Sequence, residues 1–242
     1  MIKLLYTTAL ALILLITNSF ASFPLNQVLD NFNRANSTTT LGTNWTPDPS
    51  VFTDHGGVIS DLAYNPQGSD GMVAMWTLNS YSISSGTMEA YVTLNVLSTG
   101  GIYGGIVFTN ARSGTINGYM IGESSSQGII YKGINTSQTS ILTPTISSPH
   151  SGDSIGATIT SAGVITYWYC PNGGSCGVGG SGWVNKGTVT DTTYTPLYIG
   201  ILDKSGSTTW RYANFGGGTE VLNQNAFVAS GKFVAQGKVL IN

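Results

Sequence analysis

Carboxylates are scarce in this 242-residue chain, which has 11 acidic side chains in all, so any acid–base chemistry must be sought among few positions. Glu89 and Glu123 are the glutamates embedded in strand-like sequence. Tyr91 lies two residues after the first and Tyr119 four residues before the second, which puts each glutamate on one strand face with a tyrosine. Two carboxyls about 5 Å apart suit glycoside cleavage with retention, and a wider gap suits inversion. Glu89 and Glu123 are therefore the candidate acid and nucleophile or base, on condition that their strands are neighbours. The other nucleophile signals are weak. Gly173-Gly-Ser-Cys-Gly177 matches G-x-S-x-G, and Gly177-Val-Gly-Gly-Ser-Gly182 matches G-x-G-x-x-G, but both motifs work only ahead of a helix and none is visible there. His55 and His150 are far apart in turn-like sequence, and Asp54 beside His55 does not supply the geometry of a Ser-His-Asp set.

Aromatic side chains form the denser signal. Sugar rings offer flat C–H faces that pack on aromatic faces, while their hydroxyls need polar partners, so a sugar-binding groove mixes the two. Tyr167, Trp168 and Tyr169 precede Cys170, and Trp183 follows Cys176 closely. Tyr103 and Tyr119 lie on glycine-flanked strands that a ligand could approach, and Trp210 and Tyr212 share a strand face. Trp45, Trp76 and Phe32 are expected to fill the core. Cys170 and Cys176, the only cysteines, are expected to form a disulfide that pins the loop between them. Calcium would need several hard oxygen ligands, for which Asp30, Asp48, Asp54 and Asp70 are the turn candidates without a recognisable ligand spacing. Asn36, Asn44 and Asn135 begin N-x-[ST] sequons.

The elements that must position these residues are strands. Met88, Ala90, Val92, Leu94 and Val96 alternate with Glu89, Tyr91, Thr93 and Asn95, the pattern of a half-buried strand over 86–97. Comparable runs fall at 71–78, 101–110, 116–123, 127–133, 154–160, 163–169, 196–202 and 207–215, each bounded by Gly, Ser, Asn or Pro. Ten or more short strands predict an all-β antiparallel two-sheet jelly-roll sandwich and exclude a parallel α/β architecture. Lys3 followed by the apolar run Leu4–Ile16 and by Ser19-Phe-Ala21 predicts a signal peptide over 1–21, cleaved after Ala21. The mature chain is therefore expected to be secreted, with no membrane insertion after cleavage. Nine basic against 11 acidic residues give a net charge of −2, which argues against a nucleic-acid partner. The segment 219–242 contains Phe227-Val-Ala-Ser-Gly-Lys followed by Phe233-Val-Ala-Gln-Gly-Lys, a short repeat expected to be an edge strand or tail and a candidate for self-association.

Two phrases bracket this strand-rich region: Leu29-Asp-Asn-Phe-Asn-Arg-Ala-Asn-Ser-Thr-Thr-Thr-Leu-Gly-Thr-Asn-Trp-Thr46 and Arg211-Tyr-Ala-Asn-Phe-Gly-Gly-Gly218. In them the chain resembles the concanavalin A-like, LamG-like jelly-roll domains of secreted bacterial proteins, over roughly Val28–Gly218. The resemblance implies a concanavalin A-like sandwich over 22–218 in which the first and last strands lie side by side and Phe32 and Phe215 plug the core. The E-x-D-x-x-E strand of laminarinase-like glucanases on this fold is absent. The combined expectation is a secreted, non-catalytic, lectin-like protein that binds polysaccharide or surface glycan. A glycoside hydrolase or polysaccharide lyase using Glu89 and Glu123, and a structural or adhesive extracellular protein, are the alternatives. Calcium occurs in many relatives of the fold and is the one metal it suggests.

Overall fold

The computed structural model describes residues 22–47, 56–66, 71–96, 104–123, 127–134, 137–146, 150–203, 210–221, 228–229 and 232–233. Residues 1–21, expected to be a signal peptide, and Tyr103, Asp48, Asp54, His55 and Asp70 lie outside them. Alternating apolar and polar residues dictate strands almost throughout. In chain order these are β1 (Val28–Asp30), β2 (Trp45–Pro47), β3 (Gly57–Ile59), β4 (Leu62–Tyr64), β5 (Met72–Trp76), β6 (Gly86–Val96), β7 (Gly104–Thr109) and β8 (Gly118–Glu123). They continue as β9 (Gly128–Lys132), β10 (Thr139–Leu142), β11 (Ser154–Thr160), β12 (Val164–Cys170), β13 (Val184–Thr190), β14 (Tyr198–Asp203) and β15 (Trp210–Val221). A single 3-10 turn, Ile83–Ser85, is the one helical element among the described residues.

Two antiparallel sheets face each other. One runs β13-β12-β11-β6-β15-β4-β3, with β1 also pairing β15, and the other runs β10-β9-β8-β7-β14-β5-β2. Inward residues of both sheets merge into one core, to which β6 contributes Met88, Ala90, Val92 and Leu94, and β8 contributes Tyr119 and Ile121. A smaller apolar cluster of Val73, Met75, Val107, Met120 and Leu202 covers the outer side of the second sheet, so its central strands are buried on both faces. That is why β5 and β7 read as unbroken apolar runs.

The two bracketing phrases turn out to be structural. β1 pairs with β15, Asp30 opposite Phe215, and both Phe32 and Phe215 are buried in the core as expected. The Asp30 carboxylate accepts the Phe32 backbone N–H at 2.7 Å and the Trp45 indole N–H at 2.6 Å, and it pairs with the Arg34 guanidinium, which also donates to the Leu41 carbonyl. Asp30 is therefore a hub that ties the first strands to the core, and not a turn residue presenting a free carboxylate to a metal. In β15, Tyr212 and Phe215 both point inward although they are three positions apart, an odd spacing that a regular strand forbids. A bulge between Ala213 and Gly216, with Asn214 at φ 51°, reverses the side-chain phase and makes this arrangement fit.

The strand runs read from the sequence omit β2, β3, β4, β10 and β13 and end the last strand too early. β13 and β10 carry no clean alternation because they are edge strands, and β13 is mostly exposed. β15 runs on to Val221, pairing with Gly86 of β6, so 219–221 belong to the sandwich and not to the tail. Within the C-terminal repeat, Val228–Ala229 pairs with Lys232–Phe233 as a small hairpin.

Candidate functional site

The outer face of the eight-stranded sheet carries a built aromatic slot. Strand alternation sends Ile165, Tyr167 and Tyr169 of β12 into the core and turns Trp168 outward. Register then aligns Gly216 of β15, Tyr91 of β6, Gly156 of β11, Trp168 of β12 and Asn185 of β13 in one row across five strands. Small and aromatic residues alternate along that row, and the gap over Gly156 receives the ring of Phe23. Phe23 stacks on Trp168 with ring centroids 5.1 Å apart and an interplanar angle of 6°. Its ring meets Trp183 edge-on at 4.8 Å and Tyr91 at 6.4 Å. A Cβ at residue 156 would sit 2.4 Å from the Phe23 ring, so the slot exists because that position is glycine. Gly216 plays the same part beneath Tyr91, where a Cβ would lie 2.3 Å from the ring.

One wall of the slot is a constrained loop. Cys170 and Cys176 form the expected disulfide. Inside and beyond it, Gly174 N–H donates to the Pro171 carbonyl, Gly182 N–H to Ser175 and the Trp183 indole N–H to Cys176 at 3.1 Å. The two chance motif matches fall within this β12–β13 loop, where no helix follows. Beside the slot opens a hollow of about 760 Å³ bounded by Trp168, Trp183, Asn185, Ser181 and the Gly179-Gly180 backbone. Trp168 is half-buried, while Asn185 and Ser181 are exposed, so the hollow offers aromatic surface next to hydrogen-bonding groups.

Residues 22–26 cross this face as a strap. Glu89, outward-facing on β6 and wholly buried beneath it, accepts the Leu25 backbone N–H at 2.9 Å, the Asn26 backbone N–H, and the Asn26 side-chain amide at 2.8 Å. Tyr91 donates its hydroxyl to the Asn26 carbonyl, and Gly179 N–H donates to the Pro24 carbonyl at 2.8 Å. Glu220 of β15 lies on the same face. Burial and then the Glu89 carboxylate push its pKa up to about 8, so near neutral pH Glu220 keeps its proton. Two neighbouring carboxyls, one of which keeps a proton near neutral pH, have the composition of an acid–base couple. Here the strap seals Glu89 from any substrate.

The candidate residues divide as follows. Trp168 and Trp183 meet at the slot, and Trp183 is largely buried against Phe23 and the disulfide loop. Tyr167, Tyr169 and Tyr119 point into the core, so they present no face to a ligand. Their hydroxyls donate to the Gly122 carbonyl, the Asp153 carboxylate and the Asp191 carboxylate respectively. Trp210 and Tyr212 are also core residues. Glu89 and Glu123 share no groove: they stand on different sheets, the first outward and the second inward. Burial, reinforced by the Asp153 carboxylate, pushes Glu123 up to about 9. His150 is exposed, 3.7 Å from Asp153. For calcium, the described residues hold no group of three or more Asp, Glu, His or Cys side chains placed to share an ion, and Asp30 is already engaged. Tyr91 shares the outward face of β6 with Glu89 as expected, whereas Phe23, Gly156, Asn185 and Glu220 escaped sequence reasoning. Their association depends on register between strands far apart in the chain, and a lone phenylalanine ahead of the first strand carries no local signal.

No protein-family model matches the chain, and a search of curated proteins returned no significant match. Solved structures do match. The Emp46p carbohydrate recognition domain in its potassium-bound form is 12% identical, with a TM-score of 0.52 over 79% of this chain and 94% of that one. The VIP36 exoplasmic/lumenal domain in its Ca²⁺/mannose-bound form is 12% identical, with a TM-score of 0.53 over 83% and 92%. The Emp47p carbohydrate recognition domain is 8% identical, with a TM-score of 0.51 over 81% and 95%. Together with the two facing antiparallel sheets, these likenesses establish that this chain has the concanavalin A-like lectin fold.

Proposed function

We propose that this is a secreted, non-catalytic carbohydrate-binding protein that takes polysaccharide or surface glycan at the hollow beside Trp168. The observation that carries this reading is the juxtaposition there of an accessible indole with exposed Asn185 and Ser181, on a fold shared with carbohydrate recognition domains. A sugar's C–H face would pack on Trp168 while its hydroxyls engage Asn185, Ser181 and the backbone of Gly179-Gly180. Trp183 supports the wall. The separation of Glu89 from Glu123 removes the geometry on which a hydrolase using that pair depended. A disulfide within the strand-loop wall is compatible with export after cleavage at Ala21. Among the described residues no three Asp, Glu, His or Cys side chains are placed to share an ion, and the proposed contacts are drawn from Trp168, Asn185, Ser181 and backbone groups alone.

The test is a broad glycan and polysaccharide array with the mature chain, residues 22–242, run with calcium and again with EDTA. Reproducible binding that Trp168→Ala abolishes while leaving the unfolding temperature nearly unchanged is the expected result. Binding that survives Trp168→Ala would place the site elsewhere. A blank array in both arms would move the weight to a structural or adhesive role. Self-association through the C-terminal repeat would then be measured by light scattering on a chain ending at Val221, which spares β15.

A further inference from the structure

The slot over Gly156 is filled by the chain's own N-terminal residues, and the way it is filled defines it. Phe23 is only 3% exposed, parallel to Trp168 at 5.1 Å and edge-on to Trp183 at 4.8 Å, with the β11 backbone beneath it. A single six-membered ring fits between these walls. The residues that follow the ring are read by polar groups: Gly179 N–H binds the Pro24 carbonyl, Glu89 collects the Leu25 and Asn26 N–H groups, and Tyr91 binds the Asn26 carbonyl. None of these is a strand-ladder bond, because the strap precedes β1, which begins at Val28. Cleavage after Ala21 would leave Ser22–Asn26 as a free end. Leu25 is 47% exposed and adds nothing to the grip.

We propose that the Tyr91–Gly156–Trp168 row is a one-ring binding site occupied in cis by Phe23, and that an external ligand gains the part of Trp168 that Phe23 covers by displacing Ser22–Asn26. Its bearing on sugars rests on the function proposed above, whereas its peptide arm does not. The ligand is a glycan whose terminal pyranose takes the place of the Phe23 ring, followed by groups that can donate to Glu89 and accept from Gly179. A strap docked nine-tenths of the time lowers the apparent affinity of a competing ligand about tenfold, so releasing it raises affinity by at least that factor.

The experiment compares three proteins: the mature chain, its Phe23→Ala variant, and a chain beginning at Gln27, which removes the strap and spares β1. The unfolding temperature verifies that each is folded. The probe is the synthetic peptide Ser-Phe-Pro-Leu-Asn, followed by tryptophan fluorescence. We expect it to bind the Phe23→Ala and Gln27 proteins but not the unaltered chain, and to lose binding when its own Phe is Ala or when Trp168 is Ala. On the glycan array, the two variants should show at least tenfold higher affinity for the glycans that the unaltered chain binds. No peptide binding to either variant, or equal binding to all three proteins, overturns the proposal, as does glycan affinity unchanged by strap removal. Peptide binding with a blank array for every form would sustain the slot and overturn the carbohydrate reading instead.

Discussion

Replacing Glu123 with Gln should flatten the dependence of stability on pH. Glu123 ends β8 with its side chain turned into the sandwich, wholly buried, and neither carboxyl oxygen accepts a hydrogen bond. Burial first, and the Asp153 carboxylate second, lift its pKa from 4.5 to about 9. The folded chain therefore keeps this proton over a range in which the unfolded chain has released it. The sign follows: the group's contribution is full below about pH 4.5 and is lost progressively as the pH rises towards 9. The two limiting values span roughly 6 kcal/mol at about 1.4 kcal/mol per pH unit. Relaxation and the higher effective dielectric at the end of the sandwich bring the realised loss nearer to about 3 kcal/mol. An isosteric amide does not ionise, so in Glu123→Gln this loss disappears. The slope, not the absolute stability, is the quantity to compare, because a buried amide has hydrogen-bonding needs of its own. Thermal unfolding followed by circular dichroism from pH 5 to 9 measures it. At about 2–4 °C per kcal/mol for a chain of this size, the unaltered protein should lose roughly 6–12 °C more than the variant over that range. Parallel curves for the two proteins would refute the assignment of a buried, proton-holding acid at this position.

Three further outcomes follow from the packing. Replacing both Cys170 and Cys176 with Ser should lower stability by about 2 kcal/mol in denaturant unfolding, the small value expected of a short closed loop, and should also weaken glycan binding, because the loop walls the hollow. Tyr167→Phe should leave glycan binding intact and lower stability by about 1 kcal/mol, since its hydroxyl serves only the Gly122 carbonyl in the core; lost binding would reinstate Tyr167 as a site residue. Asp30→Ala should destabilise by about 3 kcal/mol, because the Phe32 N–H and the Trp45 indole lose their acceptor and the Arg34 guanidinium loses its ion-pair partner. A change under about 1 kcal/mol would show that Asp30 is not the hub described.

The class of fold was legible in the sequence because a strand writes its own period. Met88, Ala90, Val92 and Leu94 face the core in the structure as their alternation with Glu89, Tyr91 and Thr93 requires, and Phe32, Trp45 and Phe215 meet there. The disulfide was legible too, since two cysteines six residues apart leave one pairing. The same alternation could have divided Trp168 from Tyr167 and Tyr169. Neighbours in a strand point to opposite sides, so a run of consecutive aromatics is divided between the two faces of the sheet. What no local pattern contains is register. It is set by packing between segments dozens of residues apart, and it alone aligns Tyr91, Gly156 and Trp168 and brings Phe23 into the gap. Register likewise set Glu89 beside Glu220 and put Glu123 on the far sheet. Sequence by itself determined which faces are apolar, because that depends on each strand's own period. Only the tertiary structure decided which outward residues share a site, because that depends on which strands become neighbours.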